Sequence, residues 1–140
     1  MQTLTTCLMF VGDQHGKAEE AMNLYVSLFG NSQILEIERY GAGEEEREGT
    51  VKRATFSLTG HEFIAMDSGR QHPFTFTPAI SIVVNCDRER ELDHVYEGLS
   101  DGGTVLMPLQ AYPFSDKFAW LNDRYGVSWQ LNLQAVNLGS

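Results

Sequence analysis

The chain has 140 residues, of which 42% are hydrophobic and 21% are charged, values close to the average for globular domains. Nineteen acidic residues against ten basic ones give a net charge of −9, which disfavours binding to nucleic acids and to anionic membrane surfaces. The sequence has no uncharged apolar run near the ~20 residues of a membrane span and no recognisable signal peptide, so we expect a cytoplasmic protein.

The first half of the chain alternates the signals of strands and of one helix. Apolar residues recur at helical spacing from Ala18 to Phe29, and Gly30 follows them as a typical helix end. The last two strands of this half form a predicted hairpin that turns at residues 59–61, and the glycine- and glutamate-rich stretch 41–49 predicts a loop. The strands of this half are predicted over residues 3–11, 32–40, 51–59 and 62–67.

The second half repeats the same order of elements. Apolar residues from Leu92 to Leu99 predict a helix that ends at Gly102 and Gly103. Pro108 and Pro113 predict a loop over residues 108–117. The strands of this half are predicted over residues 76–85, 104–109, 118–121 and 127–133.

Each half therefore reads as one βαβββ module, the first over about residues 1–68 and the second over 76–133. We expect one α+β domain over residues 1–134, followed by a tail at 135–140. The helices must cover one face of the sheet, which leaves the other face free to curl around a ligand.

Four blocks of sequence carry a resemblance to a known family. They are the helix block 18–32, Asp67-Ser68-Gly69, the block 76–81 and the closing block 121–130. These blocks resemble PhnB-like proteins of the vicinal oxygen chelate superfamily, which are often named as 3-demethylubiquinone-9 3-methyltransferase homologues. The resemblance implies the glyoxalase/bleomycin-resistance/dioxygenase fold: paired βαβββ modules in an incomplete barrel, with two helices outside, in a homodimer. In a family of this shape, a loop such as 108–117 can act as a lid.

The resemblance further implies where a metal would bind. In the metal-using relatives, four side chains on the first, fourth, fifth and last strands bind a divalent ion. The matching positions here look like Thr6, residues 65–67, Ala79 and Gln130. Because Thr, Ala and Gln are poor ligands beside imidazole and carboxylate, we expect no metal cofactor. If a divalent metal does bind, Asp67 and Gln130 are the expected ligands.

The alternation of apolar and polar residues in the last strand predicts that this strand forms one wall of a ligand cavity. Trp129 and Leu131 alternate with Gln130 and Asn132, so an apolar face should pack under the helix while a polar face points into the cup or to solvent. Aromatic residues from Phe74 to Trp120 could enclose a planar ligand or could form a core and a dimer interface. The predicted cavity residues are Thr6, Met66, Asp67, Ser81, Phe118, Trp120 and Gln130.

Three functions remain open on these grounds. The first is a metal-free protein that binds an apolar or aromatic small molecule in its cavity. The second is a metal-dependent lyase, isomerase or dioxygenase, which would need the metal to polarise vicinal oxygens. The third is a methyltransferase, as the customary family name suggests. The sequence identifies no catalytic residue, so it does not decide whether the protein is an enzyme.

Overall fold

The chain divides into two compact units, Met1–Thr75 and Phe76–Ser140. The computed structural model describes residues 1–134, so the predicted tail at 135–140 lies outside the described residues. Within residues 1–134, each unit holds one α-helix and one four-stranded sheet, in the order strand, α-helix and three strands, and a short 3₁₀ helix at Gly12–Gln14 precedes the α-helix of the first unit. The predicted α+β class and the paired βαβββ modules are therefore confirmed, whereas the grouping of both modules into one domain stays a prediction.

The first unit forms a mixed sheet covered by one helix. Its sheet has the order β1-β4-β3-β2, in which β1 runs parallel to β4 and the other pairs are antiparallel. The elements are β1 (Thr6–Phe10), α1 (Ala18–Leu28), β2 (Gln33–Arg39), β3 (Val51–Leu58) and β4 (His61–Asp67).

Helix α1 is held on this sheet by the apolar stripe that its sequence predicts. Ala18, Ala21, Met22 and Tyr25 recur at helical spacing and are all buried. The Tyr25 ring lies 6.4 Å from that of Phe56 on β3, whose ring in turn stacks on Phe63 of β4. The other face of the sheet is thereby left without helix cover from this unit.

The second unit repeats this arrangement. Its sheet has the order β5-β8-β7-β6, and β5 runs parallel to β8. Helix α2 buries Leu92, Val95 and Leu99, and it packs against strands β7 and β8. The elements are β5 (Ile82–Cys86), α2 (Glu89–Ser100), β6 (Thr104–Tyr112), β7 (Ser115–Asn122) and β8 (Ser128–Leu133).

Two predictions about this unit are wrong. The strand predicted from residue 76 begins only at Ile82, because the chain turns before it and Ile80 donates its N–H to the Thr77 carbonyl. The loop predicted over 108–117 is instead a hairpin formed by β6 and β7, and a role of this segment as a lid stays a prediction. Pro108 is tolerated inside β6 because this is an edge strand whose register shifts at that point.

No helix among residues 1–134 is long and apolar enough to cross a membrane.

The turn between β3 and β4 offers a test of local backbone strain. Thr59 and Gly60 have φ values of +48° and +88°, the left-handed pattern of a type I′ hairpin turn. A β-branched residue is disfavoured there, whereas asparagine tolerates this region. We expect Thr59→Asn to raise the free energy of unfolding by about 0.5 kcal/mol in urea denaturation. Thr3→Asn, at an exposed position outside the turn, should leave the free energy of unfolding unchanged. A lower free energy of unfolding in Thr59→Asn would contradict the argument.

Candidate functional site

The face of the second sheet that points away from α2 carries the polar side chains of β8. Trp129 and Leu131 are fully buried, whereas Gln130 and Asn132 remain partly exposed on the opposite face. This confirms the predicted alternation of the last strand, because successive side chains of a strand point to opposite faces.

A concavity of about 470 Å³ lies on this face. All four strands of the sheet and the turn between β6 and β7 contribute to it. Three of the predicted cavity residues, Phe118, Trp120 and Gln130, line it. The remaining lining residues are Val83, Asn85, Met107, Phe114 and Asn132.

Strand register orders these side chains into two rows. Val83 lies opposite Gln130, which lies opposite Trp120, and Trp120 lies opposite Met107. In the next row, Asn85 lies opposite Asn132, which lies opposite Phe118. The carboxamides therefore share β5 and β8, and the two aromatic rings stand beside them on β7.

Two serines hold the indole ring of Trp120. Its Nε1–H donates to Ser128 Oγ at 3.0 Å, and Ser128 Oγ lies 2.6 Å from Ser81 Oγ. Ser81, also a predicted cavity residue, is not in the lining of this concavity, and its role in binding a ligand stays a prediction. Because the indole nitrogen is engaged, the ring presents only carbon surface to a ligand.

The amides of the second row are linked to each other. Asn132 Oδ1 lies 2.5 Å from Ser115 Oγ, and Asn132 Nδ2 donates to Asn85 Oδ1 at 3.1 Å. The amide of Gln130, by contrast, has no hydrogen-bond partner within residues 1–134. The sequence pattern singled out Gln130 and Asn132 but missed Asn85 and Met107, since each lies alone in a run without a readable polar or aromatic pattern.

The other predicted cavity residues lie in the first unit and are not part of this concavity. Thr6 on β1 pairs with Phe63, and Met66 on β4 pairs with Met9. Asp67, the last residue of β4, is only 3% exposed. A role for these residues in binding a ligand stays a prediction.

The carboxylate of Asp67 is engaged by the backbone. Its Oδ1 accepts the N–H groups of Gly16 at 2.8 Å and of Ala18 at 3.2 Å. Its Oδ2 accepts the N–H of Val51 at 2.8 Å. Lys17, which precedes α1, makes no side-chain cap, so Asp67 supplies the acceptor that the start of this helix needs.

In the second unit, the carboxylate of Asp123 also accepts backbone N–H groups, here those of the turn before β8. Its Oδ1 accepts the N–H groups of Tyr125 and Val127, and its Oδ2 accepts the indole N–H of Trp129 at 2.9 Å. The sequence analysis did not identify these bonds. An aspartate two residues before a tyrosine–glycine turn is the signal that could have indicated them, because aspartate side chains often bond the backbone just ahead.

The residues present do not fit a divalent metal. Of the positions matched to metal ligands, Thr6, Ala79 and Gln130 offer no imidazole or carboxylate, and the Asp67 oxygens already accept three backbone N–H groups. Within residues 1–134, His, Cys, Asp and Glu form no group of three or more that could hold a metal ion.

Comparisons with known proteins agree with this fold. The family model described as 3-demethylubiquinone-9 3-methyltransferase matches residues 2–132. The chain belongs to this family. A PhnB protein from Bacillus cereus is 56% identical over 95% of this chain and 100% of that chain, with a TM-score of 0.90. The PhnB-like resemblance seen in the sequence is thereby confirmed.

More distant structures show the fold alone. Protein PA1353 from Pseudomonas aeruginosa is 23% identical, covers 96% of this chain and 100% of its own, and has a TM-score of 0.78. A glyoxylase/bleomycin resistance protein/dioxygenase domain from Frankia sp. EAN1pec is 12% identical, covers 98% and 95%, and has a TM-score of 0.64. The comparison with curated proteins gave no match.

The buried carboxylate of Asp67 should be a major source of stability in the first unit. Asp67→Ala leaves three backbone N–H groups without an acceptor, so we expect the free energy of unfolding to fall by about 3 kcal/mol. Asp116→Ala removes an exposed carboxylate of β7 and should change it by less than about 0.5 kcal/mol. Equal effects of the two substitutions in urea denaturation would refute the role given to Asp67.

Proposed function

We propose that this PhnB-like protein is a metal-free small-molecule-binding protein and that the concavity of the second sheet is its binding surface. The observation that carries the proposal is the composition of the lining, which combines apolar and aromatic side chains with three carboxamides. A volume of about 470 Å³ suits a small ligand, and apolar walls with few polar groups are typical of such sites.

The aromatic part of the lining supports this proposal. Phe114 is 64% exposed, although it lies edge-on to Phe118 at a centroid distance of 5.0 Å. Tyr112 packs against both rings and holds them in place. A ligand that covered Phe114 would remove a large apolar surface from water and gain the corresponding hydrophobic free energy.

The preorganised indole of Trp120 is a second support. Its bond to Ser128 sets the ring orientation before any ligand arrives. Binding then costs less ordering of this side chain, which favours affinity. The proposal of a homodimer in the cytoplasm rests on the family resemblance and on charge, and sedimentation of the purified protein would test its dimeric part.

The proposal that the protein binds no metal rests on the side chains at the positions matched to metal ligands, which are poor ligands. A metal-dependent lyase, isomerase or dioxygenase would need a cation to polarise the oxygens of its substrate. We expect elemental analysis of the untagged protein to find no stoichiometric metal. We also expect Mn²⁺, Fe²⁺, Ni²⁺ and Zn²⁺ to leave the melting temperature unchanged. One tightly bound ion per chain would contradict this and favour the enzyme.

The family description names a methyltransferase, and that function has its own test. S-adenosylmethionine at millimolar concentration should give neither heat in calorimetry nor a shift in melting temperature. Measurable binding of this cofactor would replace the binding-protein proposal with the methyltransferase.

The binding surface can be tested with a neutral aromatic probe in ¹⁵N-labelled protein. In the presence of EDTA, 2-naphthol should shift the indole N–H signal of Trp120 but not that of buried Trp129, with Kd on the order of 1 mM. Phe114→Ala should weaken this binding about fivefold. Phe74→Ala is the matched control, because Phe74 is 53% exposed and lies outside the lining. An unmoved Trp120 signal at saturating probe would refute the proposed surface.

A further inference from the structure

We infer that the concavity selects a neutral, planar ring compound that carries a hydrogen-bond donor and an acceptor on one edge, as a carboxamide or a cyclic amide does. The inference rests on the proposed function, because it names the ligand class of the same surface. Three observations carry it. The described lining has no charged side chain, amide atoms of Gln130 and Asn85 are available to a ligand, and these amides lie beside two aromatic rings.

Among the described residues, the lining of the concavity contains no charged side chain. Lys117 is adjacent to Phe118 in β7, but its Nζ lies 2.8 Å from Glu89 and 2.7 Å from Asp93, both on α2. Asp116, two residues before Phe118, is exposed and lies outside the lining. An ionic ligand would lose hydration on this surface without gaining an opposite charge, which disfavours ions of either sign.

Only some of the carboxamide atoms in the lining are available to a ligand. Both polar atoms of Asn132 are engaged, by Ser115 and by Asn85. Within residues 1–134, both amide atoms of Gln130 and one of Asn85 lack a protein partner. These two residues are diagonal neighbours on β8 and β5, because Val83 pairs with Gln130 and Asn85 pairs with Asn132.

A ligand edge with one donor and one acceptor matches these groups. The carboxamide of Gln130 can donate and accept at the same time, so it pairs with another amide through two hydrogen bonds. A hydrocarbon ligand would cover Gln130 and leave its polar atoms unsatisfied, which is unfavourable.

The aromatic rings place the body of the ligand. Trp120 and Phe118 lie two residues apart on the same face of β7, next to Gln130 and Asn132 respectively. A flat ring that packs on these two side chains directs its edge toward β8, where Gln130 lies. A planar ring with a polar edge can therefore pack on the aromatic side chains of β7 and bond the amide of Gln130 on β8 at the same time.

The test uses three probes of nearly identical shape: benzamide, benzoate and benzamidinium, whose charges are 0, −1 and +1. Toluene is the fourth probe and lacks hydrogen-bonding groups. The indole N–H signal of Trp120 reports binding, and that of Trp129 serves as the internal control. We expect benzamide to bind at least about tenfold more tightly than either ion. Gln130→Leu should weaken benzamide binding about tenfold without affecting toluene.

Two further variants complete the design. Gln33→Leu makes the same change at an exposed position on β2 and should leave all four affinities unchanged. Gln130→Glu keeps the shape of the side chain and adds a negative charge, so benzamidinium should become the tightest of the three matched probes.

The outcomes separate the two proposals. If an ion binds wild-type protein as tightly as benzamide, or if the Gln130 variants keep the wild-type preference, the inference is overturned while the proposed function stands. If neither 2-naphthol nor any of the four probes moves the Trp120 signal, the proposed function itself fails and the inference fails with it.

Discussion

The two units depend on one kind of interaction, a buried carboxylate that binds backbone N–H groups. Asp67 joins the end of β4 to the start of α1 and to the start of β3. Asp123 closes the turn before β8 and holds the indole of Trp129, the largest fully buried side chain. Each carboxylate satisfies several donors that would otherwise be buried without partners, which is costly in a low-dielectric interior. Asp67 thereby supports the start of α1, and Asp123 supports the turn that leads into β8.

This use of Asp67 bears directly on function. Asp67 was expected, together with Gln130, to be a ligand only if a divalent metal bound, because it is a carboxylate near the matched position of the fourth strand. The three backbone N–H groups that its oxygens accept leave this carboxylate little capacity to bind a cation, and Thr6, Ala79 and Gln130 at the other matched positions are weak ligands. The chain has the fold of its family, but the carboxylate of Asp67 binds the backbone, which is why function must be argued from the site and not from the fold.

The proposed binding surface is the uncovered face of the second sheet. Its character follows from pairing, since β8 lies between β5 and β7 and so brings its amides between apolar and aromatic neighbours. The bonds of Trp120 and Asn132 to serines hold two of these side chains in place. A rigid lining with only a few unsatisfied polar atoms favours recognition of a particular ligand edge over general hydrophobic binding.

The sequence by itself determined the module plan, because hydrophobic periodicity is a local property: the stripes of α1 and α2 and the alternation of Trp129 and Gln130 are visible from spacing alone. It misjudged Pro108, whose tolerance depends on β6 being an edge strand, and it missed the partners of Asp67 and Asp123. It could not place Asn85 beside Gln130 either. Only the tertiary structure decided these points, because edge position, strand register and hydrogen-bond partners are set by residues far apart in the chain.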